Sequence, residues 1–182
     1  MIRYTKPADG AYSDYLASYL SQIEDDQDNV FELLHQQGAV LSNGMQELTE
    51  EQADFRYEEC KWTVKEVVGH LLDTERLFQL RALWIARGEP NQQPGMDESI
   101  WAANSNASQR SRPELWMEHQ AVRASSLFLF DSFAPENIAR VGISNGEEVP
   151  VSVLPWLIAA HELHHFNVLR DRYKIDFFSV SE

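Results

Sequence analysis

Apolar positions recur at three- and four-residue steps along most of the chain, the spacing of helices that bury one side. Residues 12 to 23 place Tyr12, Tyr15, Leu16, Tyr19, Leu20 and Ile23 on such a pattern. After the polar break EDDQDN a second run resumes through Val30, Phe31, Leu34 and Leu41. Together they predict a short helix followed by a longer one. TEEQADF, at 49–55, opens with the capping-box pair Thr49 and Gln52 and predicts a short connecting helix with solvated charges. The stretch WTVKEVVGHLLDTERLFQLRALWIARGEP begins with a second capping box, Thr63 and Glu66, and stops at Gly88 with Pro90 just beyond. That predicts a helix of about seven turns. Past the loop EPNQQPGMDES, Ser111 and Glu114 open a third long helix with Pro113 in its first turn. It carries Leu115, Val122, Leu127, Phe128 and Phe130 and stops near Pro135. Asn145-Gly146, between short β-prone runs, predicts a turn or small hairpin, and a last helix is predicted from about Ser152 to Tyr173.

Four long helices joined by one short helix and two extended loops make an all-α four-helix bundle the economical architecture. At 182 residues the chain fits one domain, 1–182, long enough to bury a proper apolar core. Nothing in its pattern marks a boundary, because the loops at 89–110 and 135–151 each join helices that need partners.

Charge narrows the partners. Fifteen Lys and Arg against 29 Asp and Glu give a net charge of −14, which repels phosphate backbones and anionic lipid. No apolar run reaches the length of a membrane span or of a signal peptide. The single cysteine, Cys60, allows no disulfide framework and lies outside the helices beside two carboxylates, so it reads as structural or incidental. The expectation is an acidic protein of the cytoplasm.

One helix departs from ordinary core chemistry. At about 100° per residue, Leu154, Leu157, Ile158, His161, His165, Val168 and Arg172 fall on one stripe, so two histidines sit where leucines would be expected. Four residues apart, their imidazoles can converge on one ion. Burying two unpaired rings costs a few kcal/mol, which a metal relieves for both. Within AAHELHHF the order His161, Glu162, His165 matches the H-E-x-x-H of zinc proteases. Val168 and Asp171 stand where the glycine and third histidine of a metzincin would be, however, and the pattern offers no substrate-binding strand domain. A ferritin-like di-iron site would use Glu32 with His35 and Glu162 with His165, but it also needs a glutamate from each remaining helix, and Glu66 reads as a cap. A three-histidine site completed by His70 fits best. His119 and His35 have polar neighbours and are expected at the surface.

The chain resembles the DinB superfamily, and within it the YfiT-like or DinB_2 group. The resemblance rests on EEQADFRYEECKWTVKEVVGHLLDTERLFQLRALWIARGEP followed by GMDESIWAAN, and on NGEEVPVSVLPWLIAAHELHHFNVLRDRY. It implies an up-down-down-up bundle, often homodimeric, with a divalent metal on His70, His161 and His165. It also implies chemistry like that of relatives that use bacillithiol, mycothiol or glutathione in S-transfer or isomerisation, although many members have no known activity.

A three-histidine ion with open positions can bring a water or thiol toward ionisation near neutral pH. The expected function is therefore a metal-dependent thiol S-transferase acting on a small molecule. The alternatives are a metal-dependent hydrolase and a non-catalytic, stress-associated binding protein. Zinc or nickel is expected first, iron or manganese next, since imidazole suits all of them. Asp73 and Glu162 could orient an imidazole or take a proton, but both read first as peripheral helix ion pairs. The five tryptophans read as core packing.

Overall fold

A computed structural model describes residues 4–6 and 14–178. Its long helices are α2 (Val30–Glu47), α4 (Val64–Ala86), α6 (Arg112–Asp131) and α8 (Leu154–Val168). Short helices α1 (Asp14–Leu20), α3 (Glu50–Ala53), α5 (Glu98–Asn104) and α7 (Pro135–Ile138) lie between them, with a hairpin of β1 (Val141–Ser144) and β2 (Glu147–Pro150). Tyr12, assigned to the first helix from its spacing, lies outside the described residues.

The predicted starts are physical caps. Thr63 Oγ1 accepts from the Glu66 N–H while Glu66 Oε2 accepts from the Thr63 N–H, at 3.1 and 2.7 Å. Thr49 with Gln52 makes the same reciprocal pair at α3, whereas at α6 Glu114 Oε2 accepts from both the N–H and the hydroxyl of Ser111; Glu66 is therefore a cap. At the hairpin, Asn145 and Gly146 both have positive φ, 54° and 81°, the backbone a two-residue turn needs to match strand twist. The last helix begins through a single-turn 3-10 segment, Val151–Val153, and ends in a π-helical turn, Leu169–Tyr173.

Side-chain bonds fix the topology. Arg76 reaches Glu118 and Gln79 reaches the Val122 carbonyl, so α4 and α6 run the same way. Gln120 bonds Ser42 and Arg112 bonds the Met45 carbonyl, so α2 opposes α6, and Gln37 joins α2 to α8 through the Ala159 carbonyl. Tyr173 at the end of α8 bonds the Trp62 carbonyl ahead of α4, so those two are antiparallel. The bundle is up-down-down-up. A parallel α4–α6 pair needs a crossover, and residues 87–111 supply it.

That crossover is not the plain loop expected from its Pro and Asn content. Asp97 accepts from the Ser99 and Ile100 N–H groups and starts α5 there. Its strand-like approach bonds the hairpin through Gln93 N–H to the Ile143 carbonyl and Asn145 N–H to the Gln93 carbonyl, at 3.0 and 2.9 Å. The two connections thus clip together at one end of α4.

The core is two apolar clusters with a polar layer between them. One holds Leu34, Ala82, Phe130 and Trp156, the other Leu41, Leu72, Leu115 and Phe166. Between them α2 contributes Gln37, α4 Thr74 and Glu75, α6 His119, Arg123 and Ser126, and α8 Glu162, all buried. Two packing expectations change. Phe128 is 77 % exposed, because the buried face of α6 runs through Leu115, His119, Val122, Ser126 and Phe130 instead. Trp156 is fully buried but Trp101 is 41 % exposed, so the tryptophans do not share one role.

Candidate metal centre

His70, His161 and His165 are brought together. His70 Nε2 lies 3.0 Å from His161 Nε2, which lies 3.2 Å from His165 Nε2, and the three rings meet edge to face with centroids 4.6–4.9 Å apart. Among the described residues this is the one cluster of three metal-ligating side chains whose donor atoms converge. The antiparallel pairing of α4 and α8 makes it, by setting His70 opposite the His161–His165 turn. The Trp62 ring packs on His70 at 4.9 Å and Tyr19 of α1 on His161 at 5.9 Å.

Burial keeps these rings neutral. It pulls His70 down to about 4, helped by His164, and His161 to about 3, helped by His70 and His164. His165 falls well below its ordinary value for the same reason, with His161 and His70 adding to the effect. A neutral imidazole nitrogen carries either one N–H or one lone pair, so His161 Nε2, with His70 Nε2 and His165 Nε2 both within hydrogen-bond distance, cannot satisfy the two at once. A divalent ion resolves that conflict. Bonds of about 2.0–2.1 Å in a tetrahedron place nitrogens roughly 3.4 Å apart, so the observed spacings need open by only tenths of an ångström. Each ligand's other nitrogen then carries the proton. His70 Nδ1 meets Thr74 Oγ1 at 3.5 Å, whereas His165 Nδ1 is buried without a hydrogen-bond partner. The donor set and its orientation fit a metal.

Two expectations about neighbouring residues are overturned. His119, expected at the surface, is 0 % exposed, and its Nε2 lies 2.8 Å from Glu162 Oε1. Glu162 is no peripheral ion pair: it is 2 % exposed and accepts from Arg123 Nη2 at 2.8 Å. Arg123 also donates through Nε and Nη2 to both oxygens of Glu75, each at 3.0 Å, and Ser126 adds a bond of 2.6 Å to Glu75 Oε1. Burial alone would raise Glu162, but the Arg123 guanidinium and His119 hold its carboxyl well below the usual range. The reason is the packing of α8. Helix α8 packs against α1, α2 and α4, and every residue from Leu154 to Ala160 is buried, so it has no solvent side there for Glu162 to occupy. The network was traceable in the spacing of Leu115, His119, Val122, Ser126 and Phe130. Asp73 does lie near Arg76, at 3.9 Å, as the pattern suggested; burial raises its carboxyl against that pairing. His35 is exposed, as expected, and Cys60 is exposed as well.

His70 and His161 open on a cavity of about 130 Å³. His70, Leu77 and Phe78 line it from α4 and Leu157 and His161 from α8, while Met96, Ser144 and Asn145 roof it from the clipped connections. No helix among the described residues is long and apolar enough to cross a membrane.

An up-down-down-up bundle carrying three convergent histidines defines a narrow class of protein. The DinB superfamily model matches residues 33–169, and the chain belongs to that family. A protein of Geobacillus kaustophilus named "Putative metal-dependent hydrolase" is 30 % identical over 128 residues, 69 % of this chain and 71 % of its own. One of the same description from Geobacillus thermodenitrificans is 28 % identical over 65 % of this chain and 67 % of its own. Among solved structures, YfiT from Bacillus subtilis, titled a probable metal-dependent hydrolase with an unusual four-helix bundle topology, superposes with a TM-score of 0.66 at 17 % identity over 91 % of both chains. A mycothiol-dependent maleylpyruvate isomerase gives 0.62 at 14 % identity over 91 % of this chain and 62 % of that one.

Proposed function

We propose that this protein is a metal-dependent enzyme in which His70, His161 and His165 hold one divalent ion at the floor of a small-molecule cavity. The observation that carries the reading is the convergence of three neutral Nε2 atoms beside that cavity. A bound divalent ion supplies Lewis acidity, lowering the pKa of a thiol or a water toward neutrality. The chain's own part is to orient and to exclude water. Trp62 and Tyr19 wall the imidazoles, and Leu77, Phe78 and Leu157 keep the approach apolar.

Thiol transfer is the leading chemistry. A metal held there would supply an already ionised thiol, so no side chain would be needed as general base, and the carboxylate next to the ligands in sequence, Glu162, is turned away into Arg123 and His119. A cavity of 130 Å³ takes the reacting end of a low-molecular-weight thiol and leaves the remainder outside. The isomerase likeness supports this reading; the hydrolase names of the Geobacillus relatives and of YfiT support the second, hydrolysis of a small substrate. A homodimer in the cytoplasm, with zinc or nickel bound, completes the proposal.

Metal analysis of protein made without a histidine tag should find about one divalent ion per chain, with His161→Ala losing most of it. A sample that stays metal-free after incubation with zinc, nickel and manganese sinks the reading. Loaded protein should then consume glutathione or bacillithiol in the presence of epoxides or haloalkanes. Ester or amide cleavage without thiol consumption would move the assignment to hydrolysis.

A further inference from the structure

We propose that Arg81 is a specificity-determining residue that receives an anionic group, a carboxylate or its equivalent, on the substrate's far end. The inference rests on the three-histidine reading and extends it to the class of molecule bound. On α4, His70, Thr74, Leu77 and Arg81 follow at steps of four, three and four, so one face of that helix runs from the metal-binding imidazole to a guanidinium. All four line the same cavity. Among its described lining residues Arg81 is the one arginine or lysine.

Position and stiffness make Arg81 suitable. Its Cζ stands 5.7 Å from the centre of the Phe78 ring, and that ring lies 6.2 Å from the His161 ring, so one aromatic side chain separates the cation from the ligand cluster. The cation–π contact with Phe78 keeps the guanidinium near the cavity, and a planar fork can donate to a carboxylate through two parallel bonds. Long helical side chains lean toward the N-terminus, which brings the Arg81 head back toward His70 and leaves a span on the order of 10 Å between the two binding ends. The walls between them are apolar: Leu77, Phe78, Leu154 and Leu157. Glu98 and Glu147 line the exposed rim and, with the net charge of −14, disfavour anions in general. An anion is therefore selected only where its chain length brings it to Arg81. The implied substrate is slender, reactive at one end, apolar in the middle and anionic at the other.

Monohydroxamates of the dicarboxylic acids from succinic to sebacic, each paired with its terminal primary amide, test this on the zinc-loaded full-length protein by calorimetry. The hydroxamate anchors on the metal and the tail probes Arg81. At one chain length the acid should bind about tenfold tighter than its amide, the ratio expected of one charge-assisted pair. Arg81→Gln should erase that ratio while leaving the amide's affinity and the zinc content unchanged, and Arg81→Lys should keep part of it. Equal binding of acid and amide at every length, or a preference that survives Arg81→Gln, overturns the inference while the metal reading stands. If no hydroxamate binds, or zinc is not taken up, the metal reading falls and this inference with it.

Discussion

Arg123 shows how much one side chain carries in this bundle. It sits 4 % exposed between two buried carboxylates, Glu75 and Glu162, and also bonds the Leu34 carbonyl, so a single residue of α6 ties together all four long helices. A buried ion network adds little net stability compared with a well-packed apolar one, but removing one member leaves uncompensated charge. Arg123→Met should therefore cost about 3–5 kcal/mol in urea unfolding, with two carboxylates stranded. A loss below 1 kcal/mol would mean that water reaches the layer. The burial of His119 and Glu162 is hard to read from the sequence because polarity argues for the surface unless the partner is known, and the two residues that meet lie on different helices, α6 and α8. His161 and His165 were legible because they break an apolar stripe on a helix whose neighbours in sequence are almost all apolar.

At the scale of elements, the caps, the Asn145-Gly146 turn and the four long helices could all be read locally, since each depends on residues within a few positions of one another. Helix α5 could have been, from Asp97 with its two backbone bonds, but the prolines of that segment outweighed it. Close packing adds constraints no pattern reveals. A Cβ on Gly44 would stand 2.4 Å from the ring of Phe177, which is 2 % exposed, so Gly44→Ala should overpack α2 and destabilise by about 1–3 kcal/mol, read as a lowered urea midpoint. The π-helical turn after α8 gives a pH prediction. Tyr173 donates its hydroxyl to the Trp62 carbonyl at 2.7 Å, and burial, with Tyr57 and Glu66 adding, pushes its pKa up to about 12. A raised folded pKa means the contribution is fully present below the unfolded value near 10 and fades as pH rises through about 12. The stability gap between wild type and Tyr173→Phe should shrink across that window in alkaline titrations; a gap unchanged to pH 12 would contradict the assignment.

For the whole molecule, a charge of −14 on 182 residues means self-repulsion, which salt screens within about 10 Å at 0.1 M. Raising ionic strength from 0.01 to 0.15 M should raise Tm by a few degrees. A Tm independent of salt would mean that local ion pairs outweigh the net charge. Metal binding couples to the same equilibrium: zinc at 100 times its Kd should add about 2.7 kcal/mol to wild type and little to His161→Ala, which differential scanning calorimetry can read. The amino-acid sequence by itself determined the helices, their caps, the hairpin turn and the pair of histidines out of place on an apolar stripe, because periodicity and capping are short-range chemistry. Only the tertiary structure decided which helices are neighbours. Parallel α4 and α6 enclose Arg123 among its carboxylates, antiparallel α4 and α8 set His70 against His161 and His165, and the clipped connections roof a cavity that ends at Arg81. Those contacts join residues tens of positions apart, where packing alone chooses the partner.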